Sequence, residues 1–207
     1  MLRVLHVIYD DLENPWVAGG GAVRAFELYR RLAGQVDVTI LTGAFPGAPR
    51  SNRRAGVRFE HVGAEQPYAW SRLSFGLRAS RRLQTERYDA AVVDFSSYTP
   101  ILLPRGRPVG LTVHHLSGPS AGGRWGSVGA GAVQAYERAT IRRARHLAAV
   151  SAETLRQVRD LARPGSQLSI VSNGVADELF AVERKPEDFI LYFGRLDIYQ
   201  KGIDTLL

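Results

Sequence analysis

Cysteine is absent from the 207 residues of the chain. This absence excludes disulfide bonds, thiolate nucleophiles, iron–sulfur clusters and every zinc site that uses sulfur ligands. The cytoplasm is the simplest compartment for such a composition, so we expect a cytoplasmic protein.

Long apolar segments are also missing. No stretch approaches the roughly 18 uninterrupted apolar residues that a membrane-spanning helix requires. The opening run from Met1 to Tyr9 is broken by His6 and followed by acidic residues, which does not fit the long apolar region of a secretory signal. We therefore expect the protein to stay where it is made.

Lysine occurs only at positions 185 and 201, so arginine carries almost all of the positive charge. The formal net charge is +7 and the pI about 10.1. A basic balance of this kind is compatible with nucleic acid or an anionic membrane as partner. No recognisable nucleic-acid-binding motif accompanies it, and we predict no nucleic-acid partner.

Short β-rich apolar runs alternate with helical patterns along nearly the whole chain, which predicts an α/β fold with a mainly parallel sheet flanked by helices. The predicted strands cover residues 2–9, 36–41, 57–62, 89–95, 108–114, 146–150 and 168–171. The predicted helices cover residues 23–32, 68–87 and 132–143, and another follows Ser151 as its N-cap. Segments 43–56 and 117–131, rich in glycine, are predicted loops.

Residues 182–188 carry charges and Pro186 and are typical of a linker. The apolar run Phe189 to Phe193 predicts a strand that opens a second domain. We therefore divide the chain into a first domain at 1–181 and the start of a truncated second domain at 182–207. The sequence is expected to be a fragment of a longer protein.

Gly19, Gly20 and Gly21 lie between the first predicted strand and the first predicted helix. Free backbone N–H groups and the helix dipole favour a phosphate at such a position, and glycine lets a ligand approach closely. The spacing is not that of a dinucleotide fingerprint, because Arg24 occupies the third required position. An ordinary flexible turn explains the three glycines equally well.

His114 and His115 end the run that starts at Val109, at the carboxyl edge of a parallel strand, where open α/β sheets bind ligands. A histidine there acts as a donor, a base or a positioning group, or is simply a hydrogen-bonded structural residue. We expect His6, His61 and His146, which lie in or beside apolar strands without partners, to be structural.

The run from Gly194 to Gly202 contains Arg195 and Lys201 around a predicted strand-to-helix turn. An arginine and a lysine so placed suit the binding of a diphosphate and stabilise a leaving nucleotide. Taken alone, an ordinary basic turn explains the run as well.

The order of several motifs resembles that of GT-B-fold glycosyltransferases of family 4. The run from Gly194 to Gly202 resembles the family's Gly-Arg and Lys-Gly pattern, and Asn173-Gly174-Val175 resembles its N-G-V-D element, with Ala176 in place of the usual Asp. The glycine turn, the strand that ends in Thr112-Val113-His114 and the helix start Ala149-Val150-Ser151 follow the expected order. The resemblance covers essentially the whole chain.

The resemblance implies two Rossmann-like domains and transfer of a sugar from a nucleotide-diphosphate donor to an acceptor hydroxyl, with retention of configuration and without a metal or other cofactor. It implies His114 as catalytic residue and Arg195, Lys201, Gly20 and Gly21 as donor-diphosphate residues. Gly19 and His115 are acceptor-side candidates. The family's Glu-x7-Glu element belongs beyond residue 207, so the fragment is expected to be inactive alone.

The acceptor, whether carbohydrate, lipid or small molecule, is expected on the first domain. The 68–87 helix carries Trp70, Leu73, Leu77 and Leu83 among several arginines, which suits either peripheral contact with the inner membrane face or packing on the sheet with a solvated basic face. We favour packing on the sheet. Two alternatives to a transferase remain: a nucleotide-sugar epimerase of the same architecture and a non-catalytic nucleotide-sugar-binding relative.

Overall fold

The computed structural model describes residues 1–117, 122–183, 185–192, 194 and 203. Alternating strands and helices form one eight-stranded sheet with strand order β3-β4-β2-β1-β5-β6-β7-β8. The strands are β1 Leu2–Val7, β2 Val36–Gly43, β3 Ser51–Arg54, β4 Val57–Val62, β5 Ala90–Asp94, β6 Val109–Val113, β7 His146–Ala149 and β8 Gln167–Ile170. The α-helices are α1 Gly20–Arg31, α2 Tyr68–Thr85, α3 Gly122–Arg143 and α4 Ala152–Leu161, and a 3₁₀ turn covers Asp177–Phe180.

Every neighbouring strand pair is parallel except β3 with β4. The predicted α/β fold with a mainly parallel sheet is therefore confirmed. The strand order reverses at β1, which has β2 on one side and β5 on the other. Open α/β sheets bind ligands at the carboxyl ends of the strands beside such a reversal.

The two faces of the sheet bury different residues because side chains alternate along each strand. On one face Val4, Ile8 and Ile40 pack against Ala25 and Tyr29 of α1. The opposite face packs against α2, α3 and α4, and its buried residues include Leu5, Val7, Val93, Leu111, Phe75, Leu83, Ile141 and Val158. His6 lies between Leu5 and Val7 in β1, which face α2, α3 and α4. Because side chains alternate, the His6 side chain lies on the face that carries α1.

Two predicted loops contain regular structure. Ser51–Arg54 forms the antiparallel edge strand β3 within the predicted loop 43–56. Its polar sequence Ser-Asn-Arg-Arg has no apolar alternation because an edge strand need not bury a face. Helix α3 begins at Gly122, whereas the prediction placed a loop up to residue 131. Glycine lowers helix propensity without forbidding a helix, and Gly126 alone leaves the helical conformation, at φ 66°.

Helix α4 begins as predicted. The hydroxyl of Ser151 accepts a hydrogen bond from the Thr154 backbone N–H at 3.1 Å, and Glu153 lies in the first turn. This is the arrangement that satisfies an otherwise unpaired donor at a helix start. The prediction of Ser151 as the N-cap is therefore confirmed.

The expected strand at Phe189 to Phe193 is not formed by residues 189–192, the part of it that the structure describes. The side chains of Phe189, Ile190 and Leu191 are exposed. A strand needs a hydrogen-bonded neighbour, and the described sheet places none beside this segment. The division of the chain at residue 181 stays a prediction.

Gly76 of α2 allows the helix to pack closely against the loop that follows β5. A Cβ added there would lie 2.3 Å from the Pro100 carbonyl oxygen. We expect Gly76→Ala to lower the free energy of unfolding by about 2–3 kcal/mol, because backbone on both sides of the contact must shift. Urea denaturation followed by circular dichroism measures the effect.

The matched control is Gly131→Ala in α3, where an added Cβ meets nothing within 4 Å. This change should leave stability unchanged or raise it by up to about 1 kcal/mol, since alanine favours the helix. Equal destabilisation by the two substitutions would contradict the packing explanation.

Candidate functional site

Strands β1, β5 and β6 bring two histidines and an aspartate together near the carboxyl edge of the sheet. His6 lies in β1, Asp94 ends β5, and His114 directly follows β6. The register pairs His6 with Val92 and Asp94 with Thr112, so Asp94 lies two residues closer to the carboxyl edge than His6, and His114 two residues closer than Asp94. They share the sheet face that carries α1.

Asp94 joins the two histidines through its two carboxylate oxygens. Oδ2 is 3.0 Å from His114 Nε2, and Oδ1 is 3.6 Å from His6 Nε2. The far side of the His6 ring is fixed by α1, because His6 Nδ1 lies 3.0 Å from the Tyr29 hydroxyl. The resulting series Tyr29, His6, Asp94 and His114 connects the helix to three strands.

Burial differs sharply along this series. The side chains of His6 and Asp94 are 2% and 3% exposed, whereas that of His114 is 22% exposed. A buried carboxylate is costly unless it is paired, so the two histidines are needed to keep Asp94 in place. His114 alone among the three is accessible enough to meet a ligand directly.

The pKa of the Asp94 carboxyl lies well below its ordinary value. Burial by itself would raise this pKa, but the positive charge of His6 and the hydrogen bond from His114 outweigh burial. Burial and the nearby Asp94 charge raise the pKa of the Tyr29 hydroxyl, so that residue stays neutral. Asp94 is therefore an ionised acceptor that orients the His114 ring.

The glycine turn lies at the start of α1, at the same edge of the sheet. Gly19 is the N-cap residue, and no side chain caps the helix. A Cβ added to Gly19 would lie 3.0 Å from the Asp10 Oδ2 atom, whereas one added to Gly20 would meet nothing within 4 Å. The turn therefore has a carboxylate against Gly19 and open space at Gly20. A Cβ on Gly21 would lie 3.1 Å from Ile8 Cδ1.

An aromatic cluster borders the edge between β1 and β5. The Arg72 guanidinium lies 4.3 Å from the centre of the Tyr9 ring and 5.4 Å from that of Tyr68. It donates hydrogen bonds to Ser96 Oγ and Thr99 Oγ1, at 3.1 and 3.0 Å. These contacts fix the start of α2 against the loop that follows β5 and leave the Tyr68 ring partly exposed.

Only some of the predicted site residues lie together at the carboxyl edge of the sheet. His114, Gly19, Gly20 and Gly21 lie at the carboxyl edge, and His115 is exposed beside His114. Arg195 and Lys201 lie outside the described residues. The prediction that His6 and His61 have no partners is wrong, because His6 pairs with Asp94 and Tyr29, and His61 lies 3.3 Å from the buried Asp11 carboxylate.

Asp94 and Asp10 were not predicted as site residues. Both directly follow apolar strand residues. An acidic residue at the end of an apolar run was the sequence feature that could have predicted them. Within the described part of the chain, no group of three or more histidines and carboxylates could hold a metal ion. No helix there has the length and apolar character needed to cross a membrane.

Asp94→Asn tests the ionised carboxylate. We expect a loss of about 3 kcal/mol in the free energy of unfolding at neutral pH, because two histidines lose their buried partner. A depressed folded-state pKa stabilises the protein fully above the unfolded pKa of about 4, and this stabilisation fades as the pH falls below it. The difference between wild type and variant should therefore shrink in acid.

Urea denaturation at neutral pH and on both sides of pH ~4 measures this difference. Asp37→Asn, which removes an exposed carboxylate from β2, is the control and should change stability by less than about 0.5 kcal/mol. A difference for Asp94→Asn that stays constant down to acid pH would contradict an ionised, histidine-paired carboxylate.

Three comparisons relate this geometry to known proteins. The sequence profile of the family described as Glycosyltransferase Family 4 matches residues 18–179. A search among curated protein sequences finds no match. Among solved structures, a sucrose-phosphate synthase from Thermosynechococcus elongatus is similar with a TM-score of 0.64 at 14% identity, over 86% of this chain and 50% of that one.

A structure of alpha,alpha-trehalose 6-phosphate synthase from Burkholderia multivorans is similar with a TM-score of 0.50 at 12% identity, over 87% of this chain and 50% of that one. The chain thus spans about half the length of both. At these identities the likeness concerns the fold, which is that of a GT-B glycosyltransferase domain. Because the family profile covers most of its length, the chain belongs to glycosyltransferase family 4.

Proposed function

We propose that the protein transfers a sugar from a nucleotide-diphosphate donor to an acceptor hydroxyl, and that His114 contacts the reacting groups. The observation that carries this proposal is the asymmetric position of His114. Its Nε2 atom is 3.0 Å from the buried Asp94 carboxylate, while the side chain remains 22% exposed at the carboxyl edge. Among the described residues, Nδ1 has no hydrogen-bond partner and is left for a ligand.

The ionised Asp94 carboxylate determines which His114 nitrogen carries a proton. An acceptor at Nε2 keeps the proton there, so in the neutral ring Nδ1 bears the lone pair. Nδ1 then accepts a hydrogen bond from a sugar hydroxyl, which orients the donor sugar for transfer. Asp94 acts through His114 and is a positioning residue.

The surroundings of the three glycines support different positions for the donor and the acceptor along the glycine turn. The open space at Gly20 suits a phosphate oxygen that approaches the backbone of Gly20 and Gly21 at the helix start. The Asp10 carboxylate repels an anion at Gly19 and accepts hydrogen bonds from hydroxyl groups. Gly19, together with the exposed His115, therefore belongs to the acceptor side.

Arg195 and Lys201 complete the proposed site from the second domain, which we place at 182–207 and beyond. Their assignment depends on the family motif. Two cations at the diphosphate stabilise the charge that develops on the leaving nucleotide, so transfer needs neither a metal nor another cofactor. In accord with the family resemblance, we propose retention of configuration, and little activity for residues 1–207 alone.

The experiment uses the full-length protein with a panel of nucleotide sugars and acceptors, and mass spectrometry of the products. We expect a glycosylated product and one nucleoside diphosphate per transfer. Arg195→Ala and Lys201→Ala should each lower kcat/KM about 100-fold, and His114→Ala should lower kcat by a similar factor. Arg58→Ala, at an exposed position of β4, is the charge-matched control.

Unchanged kinetics in both the Arg195 and the Lys201 variants would contradict the donor assignment. Conversion of the nucleotide sugar without a glycosylated product would indicate the epimerase. Binding of a nucleotide sugar without any turnover would indicate the non-catalytic relative.

Peripheral membrane contact through α2 is a second proposal, and a specific observation favours it. The helix buries Ser71, Phe75, Ala79 and Leu83 against the sheet. Trp70, Leu73 and Leu77 form a separate stripe with 51%, 41% and 59% exposure. The helix packs on the sheet as predicted, but Leu83, which we grouped with these three residues, is buried in that packing.

Basic residues flank the stripe, since Arg78 and Arg81 are exposed and have no acidic partner in the described part of the chain. Arg82 is instead paired with Glu60 and Glu86. An apolar stripe beside arginines suits the inner, anionic leaflet of a membrane. Such a contact would hold the cleft near a lipid acceptor.

Vesicle sedimentation tests this contact with anionic and neutral lipid. We expect binding to anionic vesicles only, and Trp70→Ser with Leu77→Ser should weaken it about tenfold or more, because two side chains no longer enter the lipid. Leu102→Ser, at a position that is 54% exposed outside α2, is the matched control. Equal sedimentation with anionic and neutral vesicles, or no sedimentation with either, would eliminate the proposal.

A further inference from the structure

A cavity lined by arginines lies at the amino ends of β6 and β7, on the edge of the sheet opposite His114. Its volume is about 600 Å³, within the range of small-molecule sites. Val109 and His146, the first residues of the two strands, are part of its wall. The cavity also contains six arginines: Arg105, Arg107, Arg142, Arg143, Arg145 and Arg163.

Two of these arginines have structural partners. Arg107 donates to the backbone carbonyls of Gln84 and Glu86 and stacks over the Tyr88 ring at 4.2 Å. Arg143 donates to the Leu103 carbonyl. Their contacts close the end of α2 and attach α3 to the loop before β6.

The other four arginines have no hydrogen-bonded or ion-paired acid within the part of the chain that the structure describes. They come from separate segments: Arg105 from the loop before β6, Arg142 from the last turn of α3, Arg145 from the turn before β7 and Arg163 from the segment after α4. None of the described residues that line the cavity is an aspartate or a glutamate. Four positive charges therefore converge without a counter-charge.

Helix ends account for only part of this charge. Basic residues are favoured at helix C-termini because each terminus carries roughly half a negative elementary charge. The cavity borders the end of α3, whose last turn holds Arg142 and Arg143, whereas Arg105 and Arg145 belong to no helix. Like charges held close together repel one another, and a bound anion would remove that repulsion.

We propose that this cavity binds a small polyanion with two or more phosphate groups. Guanidinium groups bind phosphate oxygens in a bidentate manner, and four of them match the charge of a diphosphate. The five residue steps from Val109 to His114 span about 16 Å along an extended strand, so the cavity is distinct from the site at the carboxyl edge. It is a second anion site, independent of sugar transfer.

Isothermal titration calorimetry with inorganic pyrophosphate tests the proposal. The titration uses the protein that carries Arg195→Ala and Lys201→Ala, which removes the proposed donor-diphosphate cations. We expect one binding event, and adding Arg105→Gln with Arg145→Gln should raise Kd about tenfold or more, because each lost charge-assisted hydrogen bond is worth about that factor. Arg58→Gln with Arg78→Gln removes equal charge elsewhere and should leave Kd within about twofold.

The side chains of Arg105 and Arg145 are exposed and make no hydrogen bond or ion pair with another described residue, and the unfolding midpoint of the variant verifies that it folds. Arg142→Gln with Arg163→Gln provides a second, independent variant with the same expected rise in Kd. Equal weakening by the control pair would mean diffuse attraction to a basic surface and would overturn the proposal. Absence of pyrophosphate binding, or tight binding of a single-stranded oligonucleotide that pyrophosphate does not displace, would also overturn it.

Discussion

The buried negative charge of Asp94 is the constraint on which the site geometry depends. A carboxylate with 3% exposure needs partners, and it takes a hydrogen bond from His114 after β6 and an ion-pair contact at 3.6 Å from His6 of β1. This pairing requires β5 to lie between β1 and β6, which is the observed strand order. Through Tyr29 the same charge also fixes α1. One ionised group thus links three strands and a helix to His114, the accessible histidine of the series.

The polarity of a parallel sheet separates two kinds of chemistry. Helices that connect parallel strands run opposite to them, so helix starts gather at the carboxyl edge and helix ends at the amino edge. The carboxyl edge holds His114, the glycine turn and the Asp10 carboxylate, which form the first-domain side of the proposed transferase site. The amino edge holds basic last turns and the arginine cavity. The anion sites that we propose at the two edges therefore depend on different structural features.

Strong local patterns predicted most of the fold correctly. The buried strands and the Ser151 cap were found because apolar runs and a capping hydroxyl are local signals. β3 was missed because an edge strand of polar residues lacks the apolar alternation by which strands are recognised. The start of α3 was predicted too late because the low helix propensity of glycine indicated a loop. Tertiary packing, not propensity, decides the conformation of this segment. The exposed stripe of α2 was assigned partly wrongly because amphipathic spacing alone does not reveal which apolar face meets the sheet.

The sequence by itself determined the alternation of strands and helices, the order of motifs and, through them, membership of glycosyltransferase family 4. It also placed His114 at the end of a strand and the glycine turn at the start of a helix, whereas their roles in a site stay predictions. Only the tertiary structure brought Asp94 to His6, 88 residues away in the chain, and placed the Asp10 carboxylate against Gly19. It also gathered arginines from four segments into one cavity. Ionic partners across strands depend on register and strand order, which no local pattern encodes, and this is the physical reason for the difference.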